Sequence, residues 1–299
     1  MTLTNKINRI IEPIFVIALS LISLYLGQTS IVFVGLVPIL FALFYFNEGF
    51  VSFLLGAIGT YLVGLCFIDK DDLILSLMPL ILISISFIIP IAIKANDKSQ
   101  IISGFLIASL VFIFLYKYKM VLEGLDIEDL ALNLKENFEK VYPYKLDMEI
   151  YMMTSAAYPA VISSISLVYS ILAVKLIRNY LAYRMKTYTD IRNLDDLRID
   201  LKGLGLIIML EVVLYFLANM WGADNTYILI NLVFMNFAFF AVNGASLFDY
   251  VLRNSKLPLS RAFQWFFILI LFQVLALPLA LFGFLDIFID FRRRRKNEK

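Results

Sequence analysis

Glu211 is the residue whose type and position most directly suggest chemistry: a carboxylate near the centre of an otherwise apolar run, 203–221. In hydrocarbon such a group is costly and functional by default. Tyr215 and Asn219 follow at i+4 and i+8, which a helix places on one face. The next apolar run carries Asn236, Asn243 and Tyr250 seven residues apart, again one face. If the faces meet, amide and phenol donors surround Glu211. Two roles then stand side by side. A protonated carboxyl can bind two helices together by hydrogen bonds worth about 0.6–2 kcal/mol in a membrane. An ionised one can hold a cation or a ligand amine, because an opposite charge favours the charged form.

Asp286 and Asp290 form a second pair, with Arg294 a further four residues on. Two carboxylates on one helix face are the raw material of acid–base catalysis. The arginine run beside them favours a plainer reading, carboxylates at the membrane interface paired with Arg292–Lys296. That basic run itself suits an anionic headgroup surface. Histidine is absent, which removes the commonest general base and metal ligand. No Gly-rich phosphate loop, metal-ligand spacing or G-x-S-x-G turn occurs. The sequence therefore assigns no catalytic residue, metal or cofactor and weighs against an enzyme. Cys66 is the single cysteine, so no intrachain disulfide can form. A net charge of +2 is too small to imply a nucleic-acid partner.

The elements that position these groups are membrane helices. Hydrophobic residues make up 61% of the chain and mean hydropathy is +0.85, against roughly 45–50% apolar in soluble domains. Charges gather between apolar runs of about 17–25 residues, the length that spans a bilayer as a helix. Runs such as Leu73–Ile93 lack the alternation of barrel strands. The expected segments are 11–26, 30–46, 50–67, 73–93, 100–117, 151–174, 203–221, 226–249 and 262–284, giving an all-α bundle of eight or nine membrane segments. Lys6 and Arg9 precede the first run with no A-x-A-like site after it, so it reads as a retained helix.

Three regions follow: a five-helix stretch 1–118, an acidic insert 119–149, and a second membrane region 150–299 with a basic arm at 175–202 and a basic tail. In the insert Leu130, Leu134, Phe138 and Val141 form an amphipathic stripe. It reads as a solvated helix packing that stripe on the membrane region, or as a lid. Lysine and arginine concentrate on cytoplasmic loops, which places 175–202 inside and the insert outside. A full last crossing would put the arginine run outside, so a break near Pro278, with 279–291 returning to the cytoplasmic face, is expected instead. Ser155, Pro159, Ser163, Ser166 and Ser170 line one face of 151–174, as a packing surface or a pocket wall. Trp221 and Trp265 lie towards segment ends, where interface anchors belong.

Three stretches carry a family resemblance. Val37-Pro38-Ile39-Leu40 with Tyr45-Phe46-Asn47-Glu48-Gly49, Asn243-Gly244 ahead of Leu257-Pro258, and the closing Gly283, Asp286, Asp290, Phe291, Arg292 signature resemble the YybS-type family of bacterial membrane proteins. The resemblance implies a multi-pass fold in the bacterial cell (cytoplasmic) membrane and no particular reaction. The N-terminal half is also similar to the substrate-binding subunits of energy-coupling-factor vitamin transporters, which are six-helix proteins that bind a small molecule near the outer face. This implies a small-molecule-binding or transport-related protein; the candidate ligand-binding set, read from the residues themselves, is Glu211, Tyr215, Asn219, Asn236 and Asn243. The alternative is a non-catalytic membrane scaffold that recruits envelope or cytoplasmic partners through its basic 175–202 arm, with a protein partner at the cytoplasmic face. The lipid bilayer is a partner in either case.

Overall fold

A computed structural model describes residues 3–27, 31–142, 144–185, 188–189, 197–220, 222, 224–255 and 260–292. Among them the chain is helical, with no strand. The helices are α1 (Leu3–Gly27), α2 (Ile31–Glu48), α3 (Phe50–Gly64), α4 (Lys70–Ala92), α5 (Asp97–Leu122), α6 (Ile127–Val141), α7 (Met148–Ala156), α8 (Tyr158–Met185), α9 (Leu201–Met220), α10 (Asn225–Arg253), α11 (Arg261–Val274) and α12 (Ala276–Ile289). Five of them, α4, α5, α8, α9 and α10, are long and apolar enough to cross a membrane. The chain is a helical membrane protein.

It divides into two compact units, Met1–Leu115 with Ser166–Ile191, and Tyr116–Ile165 with Arg192–Lys299. The first contains α1 to α4, most of α5, and the C-terminal part of α8. Its core is aliphatic and aromatic, with Val37, Phe41, Leu80, Ile83, Phe87 and Ile177 excluded from solvent. Tyr169 of α8 ties α2, α4 and α5 to its own helix there. Its ring meets Phe87 and Phe112 at 5.9 and 6.2 Å, and its hydroxyl donates to the Gly35 carbonyl at 2.9 Å.

The apolar stretch 151–174, whose first part to Ile165 lies in the second unit, is not one helix. α7 stops at Ala156 and α8 begins at Tyr158, because Pro159 has no N–H for the Ser155 carbonyl and its ring crowds it. The stretch 262–284 is likewise two helices. Pro278 cannot donate to the Val274 carbonyl, and α11 ends there. The break thus falls at Leu275, three residues before the expected proline.

α11 and α12 each have 14 residues, about 21 Å of helix against a hydrocarbon core of about 30 Å. They fold as a hairpin against α10. The Arg261 guanidinium, at the start of α11, grips Asp249 near the end of α10, and Phe267 lies 6.5 Å from Phe248. α12 then runs back along α10, with Gly283 against Phe240 and Gly244 and the Arg292 carbonyl accepting from the Tyr250 hydroxyl at 3.2 Å. The chain therefore returns at Arg292 to the end of α10 that it left at Arg261. Arg293–Lys296, where the expected cytoplasmic tail begins, lie outside the described residues.

Only glycine permits this crossing. A Cβ on Gly244 would overlap the Leu279 backbone, and one on Gly283 would overlap the Phe240 carbonyl. Gly283 is the first residue of the closing signature, and close backbone approach is its physical reason.

The insert forms α6, started by a reciprocal capping box in which the Asp126 carboxylate accepts from Asp129 N–H and the Asp129 carboxylate from Asp126 N–H. α6 packs on α7, Phe138 meeting Tyr151 at 6.1 Å. The covered face centres on Ala131, whereas Leu134 and Val141 of the expected stripe are exposed. The covered positions, Ile127, Leu130, Ala131, Lys135, Phe138 and Glu139, form a face turned around the helix from the expected stripe. Trp265 is also not a surface anchor. It is 7% exposed, beside buried Gln264 and Ile268 on the face of α11 that turns inward.

Candidate functional site

α9 is an unusual element: 20 residues, none of them buried. Its most covered positions, Leu204, Ile207, Glu211, Tyr215 and Ala218, recur at spacings of three and four and form the single stripe that turns from the surrounding medium. Glu211 lies midway along it, about 15 Å of helix from either end. The Asn236 side chain of α10 lies beside its carboxyl. Its Oε1 is covered but has no hydrogen-bond partner among the described residues. One turn on, the Tyr215 hydroxyl donates to Asn225 Oδ1 at 3.2 Å.

The expected set is thus brought together only in part. Glu211, Tyr215 and Asn236 share the seam between α9 and α10. Asn219 is exposed, because eight residues advance a helix by 80° past a whole number of turns. Asn243 is fully buried elsewhere: its amide donates to the Gly283 carbonyl at 2.7 Å and its Oδ1 accepts from Ile199 N–H at 2.9 Å. It bridges α10, α12 and the segment leading into α9.

The closing signature forms a charged knot at the end of α12. Asp286 is fully buried and accepts from Arg292 Nε and Phe291 N–H, both at 3.1 Å. Asp290 pairs with Arg198 at 2.9 Å, which also lies 3.9 Å from Asp286. Asp286 was expected at an exposed interface with Asp290 and the arginine run. It is buried because Asp290 adopts a left-handed conformation, φ 51° and ψ 62°, which folds Arg292 back over the helix end. Each carboxylate here has a cationic partner, so the knot is a structural clasp and not an acid–base pair. Among the described residues no group of three or more histidine, cysteine or acidic side chains is placed to hold a metal ion.

No family model, curated protein or solved structure matches this chain. The geometry of the side chains therefore carries the functional argument.

Two polar devices escaped the sequence reading. In the first unit Arg178, 7% exposed, donates to Asp97 at 2.8 Å, Gln100 at 3.1 Å and Thr189 O and Oγ1 at 2.7 and 2.8 Å. In sequence it reads as one more charge of the basic arm. In the second unit Asn231 is inserted into the break between α7 and α8. Its amide donates to the Ala156 carbonyl at 3.0 Å, and its Oδ1 accepts from Ala160 N–H at 2.9 Å. These are the two groups that an unbroken helix would pair with each other. The proline opposite an asparagine in an apolar run was the available signal. Asn231→Leu, close in size but without the amide, leaves both backbone groups unpaired and is expected to destabilise the second unit by about 1–3 kcal/mol. A lowered melting temperature in detergent, absent for the surface control Asn133→Leu, is the check.

Proposed function

We propose that this chain is a membrane-embedded binding protein, a transport component of the bacterial cytoplasmic membrane, that takes a small molecule bearing an amine or another strong hydrogen-bond donor at Glu211. The observation that carries this reading is the unpartnered Glu211 Oε1 beside Asn236, midway along α9. A covered acceptor without a donor costs about 1–3 kcal/mol, and a bound donor removes that cost. The similarity of the N-terminal half to vitamin-binding transporter subunits supports a binding role over a catalytic one. The charge asymmetry supports an inside location for the basic arm and an outside one for α6. The α11–α12 hairpin supports eight membrane segments and a cytoplasmic tail.

The test is thermal stabilisation of the purified protein across a panel of cations, vitamins and nucleobases, compared with Glu211→Gln. A ligand at 100 times its Kd stabilises by about 2.7 kcal/mol. The wild type should show such a shift and the folded Glu211→Gln protein should lose it. Equal shifts in both proteins, or none in either, would leave Glu211 as a helix-packing group.

A second reading has its own observation. α9 has no buried residue, so a helix of a partner protein could cover it, and the chain would then act as a scaffold. Saturating copurification of one membrane partner, lost on Glu211→Gln without any small-molecule response, would favour that reading.

A further inference from the structure

We propose that the second unit holds a water-filled recess, open on the face that carries α6. It ends on the tip of the α11–α12 hairpin and brings water to the level of Glu211 and Asn236. The recess stands on the geometry of the hairpin and of α10, and Glu211 need bind nothing for it to exist. Its consequence for the function proposed above is that a ligand of Glu211 arrives from water and not from lipid.

The depth of the tip carries the argument. Both ends of the hairpin lie at the C-terminal end of α10, where Arg261 holds Asp249 and the Arg292 carbonyl accepts from Tyr250. An arm of 14 residues reaches about 21 Å from that end, about 9 Å short of crossing a hydrocarbon layer of about 30 Å. The turn at Leu275 therefore lies at hydrocarbon depth. Its backbone is not paired as a continuous helix would pair it. Pro278 has no N–H for the Val274 carbonyl, and no side chain caps the first N–H groups of α12. Hydrocarbon cannot hydrogen-bond such groups, and irregular backbone persists at this depth only where protein covers it or water reaches it. Among the described residues protein does not cover it, since Val274, Leu275 and Leu277 are all exposed. Water is what remains.

α10 shows where the recess runs. Nine of the twelve residues from Ala241 to Leu252 are buried, but only Ile228 and Ala238 of those from Asn225 to Phe240. The change falls where α12 stops. Gly283 lies against Phe240 and Gly244, and α12 begins at Ala276, about 10 Å earlier along the helix. That brings the tip level with Asn236, on the same face of α10 as Phe240 and Asn243. α12 fills this face as far as the tip, and beyond it nothing of the hairpin is left to cover it. Asn236 lies beside the Glu211 carboxyl, so both groups stand where the cover ends. The direction of the opening follows from Asn231. It fixes the far end of α10 to the break between α7 and α8, and α7 carries α6 through Tyr151 and Phe138.

The experiment is thiol labelling of the full chain in a Cys66→Ser background, in intact cells and in inverted vesicles. Val274→Cys and Leu277→Cys report on the tip, Leu281→Cys on an exposed flank of α12 one turn away, and Asn133→Cys on α6. The probe is a charged, membrane-impermeant methanethiosulfonate, which reacts with the thiolate and therefore needs a hydrated site. All four positions are exposed, so each variant should keep the wild-type elution profile. The tip thiols are expected to react from the side that reaches Asn133→Cys, at least tenfold faster than Leu281→Cys. Reaction only from the opposite side would overturn the opening, and no reaction above that of Leu281→Cys from either side would overturn the recess. Ligand-induced thermal stabilisation plays no part in this labelling, so the recess and the binding role of Glu211 fail separately.

Discussion

Gly283→Leu is expected to abolish the native second unit, with no monodisperse folded protein recovered after extraction. Even a methyl group at this position would overlap the Phe240 carbonyl and crowd the Gly244 backbone. Rotating the new side chain relieves nothing, because the clash begins at Cβ. The α10–α12 contact must open, and with it goes the hydrogen bond from Asn243 to the Gly283 carbonyl. Insertions into a packed core usually cost about 1–3 kcal/mol, and here a buried amide is orphaned as well, adding about 1–3 kcal/mol. Gly283→Ala is the graded version, and should fold with a clearly lowered melting temperature. Gly205→Ala, where an added Cβ meets nothing, is the control and should melt near wild type. A native melting temperature for Gly283→Ala would refute the close crossing.

Arg261→Met should have the next largest effect. Asp249 is fully buried and receives two bonds from the Arg261 guanidinium, at 2.8 and 3.1 Å. Removing one partner of a buried ion pair costs about 3–5 kcal/mol, because the other charge stays behind. Replacing both partners by apolar groups is often neutral or better. Arg261→Met with Asp249→Leu should therefore recover most of the stability lost in Arg261→Met alone. Thermal melts of the four proteins of this double-mutant cycle provide the measurement. A double variant as unstable as the sum of its parts would mean that the two side chains act separately.

The outline of this protein was legible in its residues because hydrocarbon is a demanding solvent. Backbone groups must pair within a segment, so long apolar runs such as 73–93 and 226–249 could only be helices, α4 and α10. The breaks were less legible. Proline marked both, but a proline acts on the carbonyl four residues earlier, so α11 ends at Val274 and not beside Pro278. The insert's stripe was read from periodicity alone, and periodicity does not say which part of a face the neighbouring helix meets. Leu134 and Val141 are exposed because α6 packs through a face turned towards Ala131 and Lys135.

The site divides in the same way. Glu211 is set apart by its sequence alone, since an ionisable group inside an apolar run has few neighbours to account for it. Its partner Asn236 came from a shared helical face, and so did Asn243, but the two have different surroundings. Asn236 meets α9, while Asn243 is drawn into the Gly244–Gly283 crossing. Spacing along one helix specifies direction, and only packing specifies what stands there. The compact units make the same point, since the C-terminal part of α8 groups with the first five helices, an association that chain order does not express. The sequence by itself determined the solvent, the helical class and the mid-run carboxylate, because each follows from local composition and hydrogen-bonding demand. Tertiary structure alone decided that Asp286 is clasped by Arg292, that Asn231 repairs a broken helix, and that α9 stands uncovered, because each depends on contacts between residues far apart in the chain.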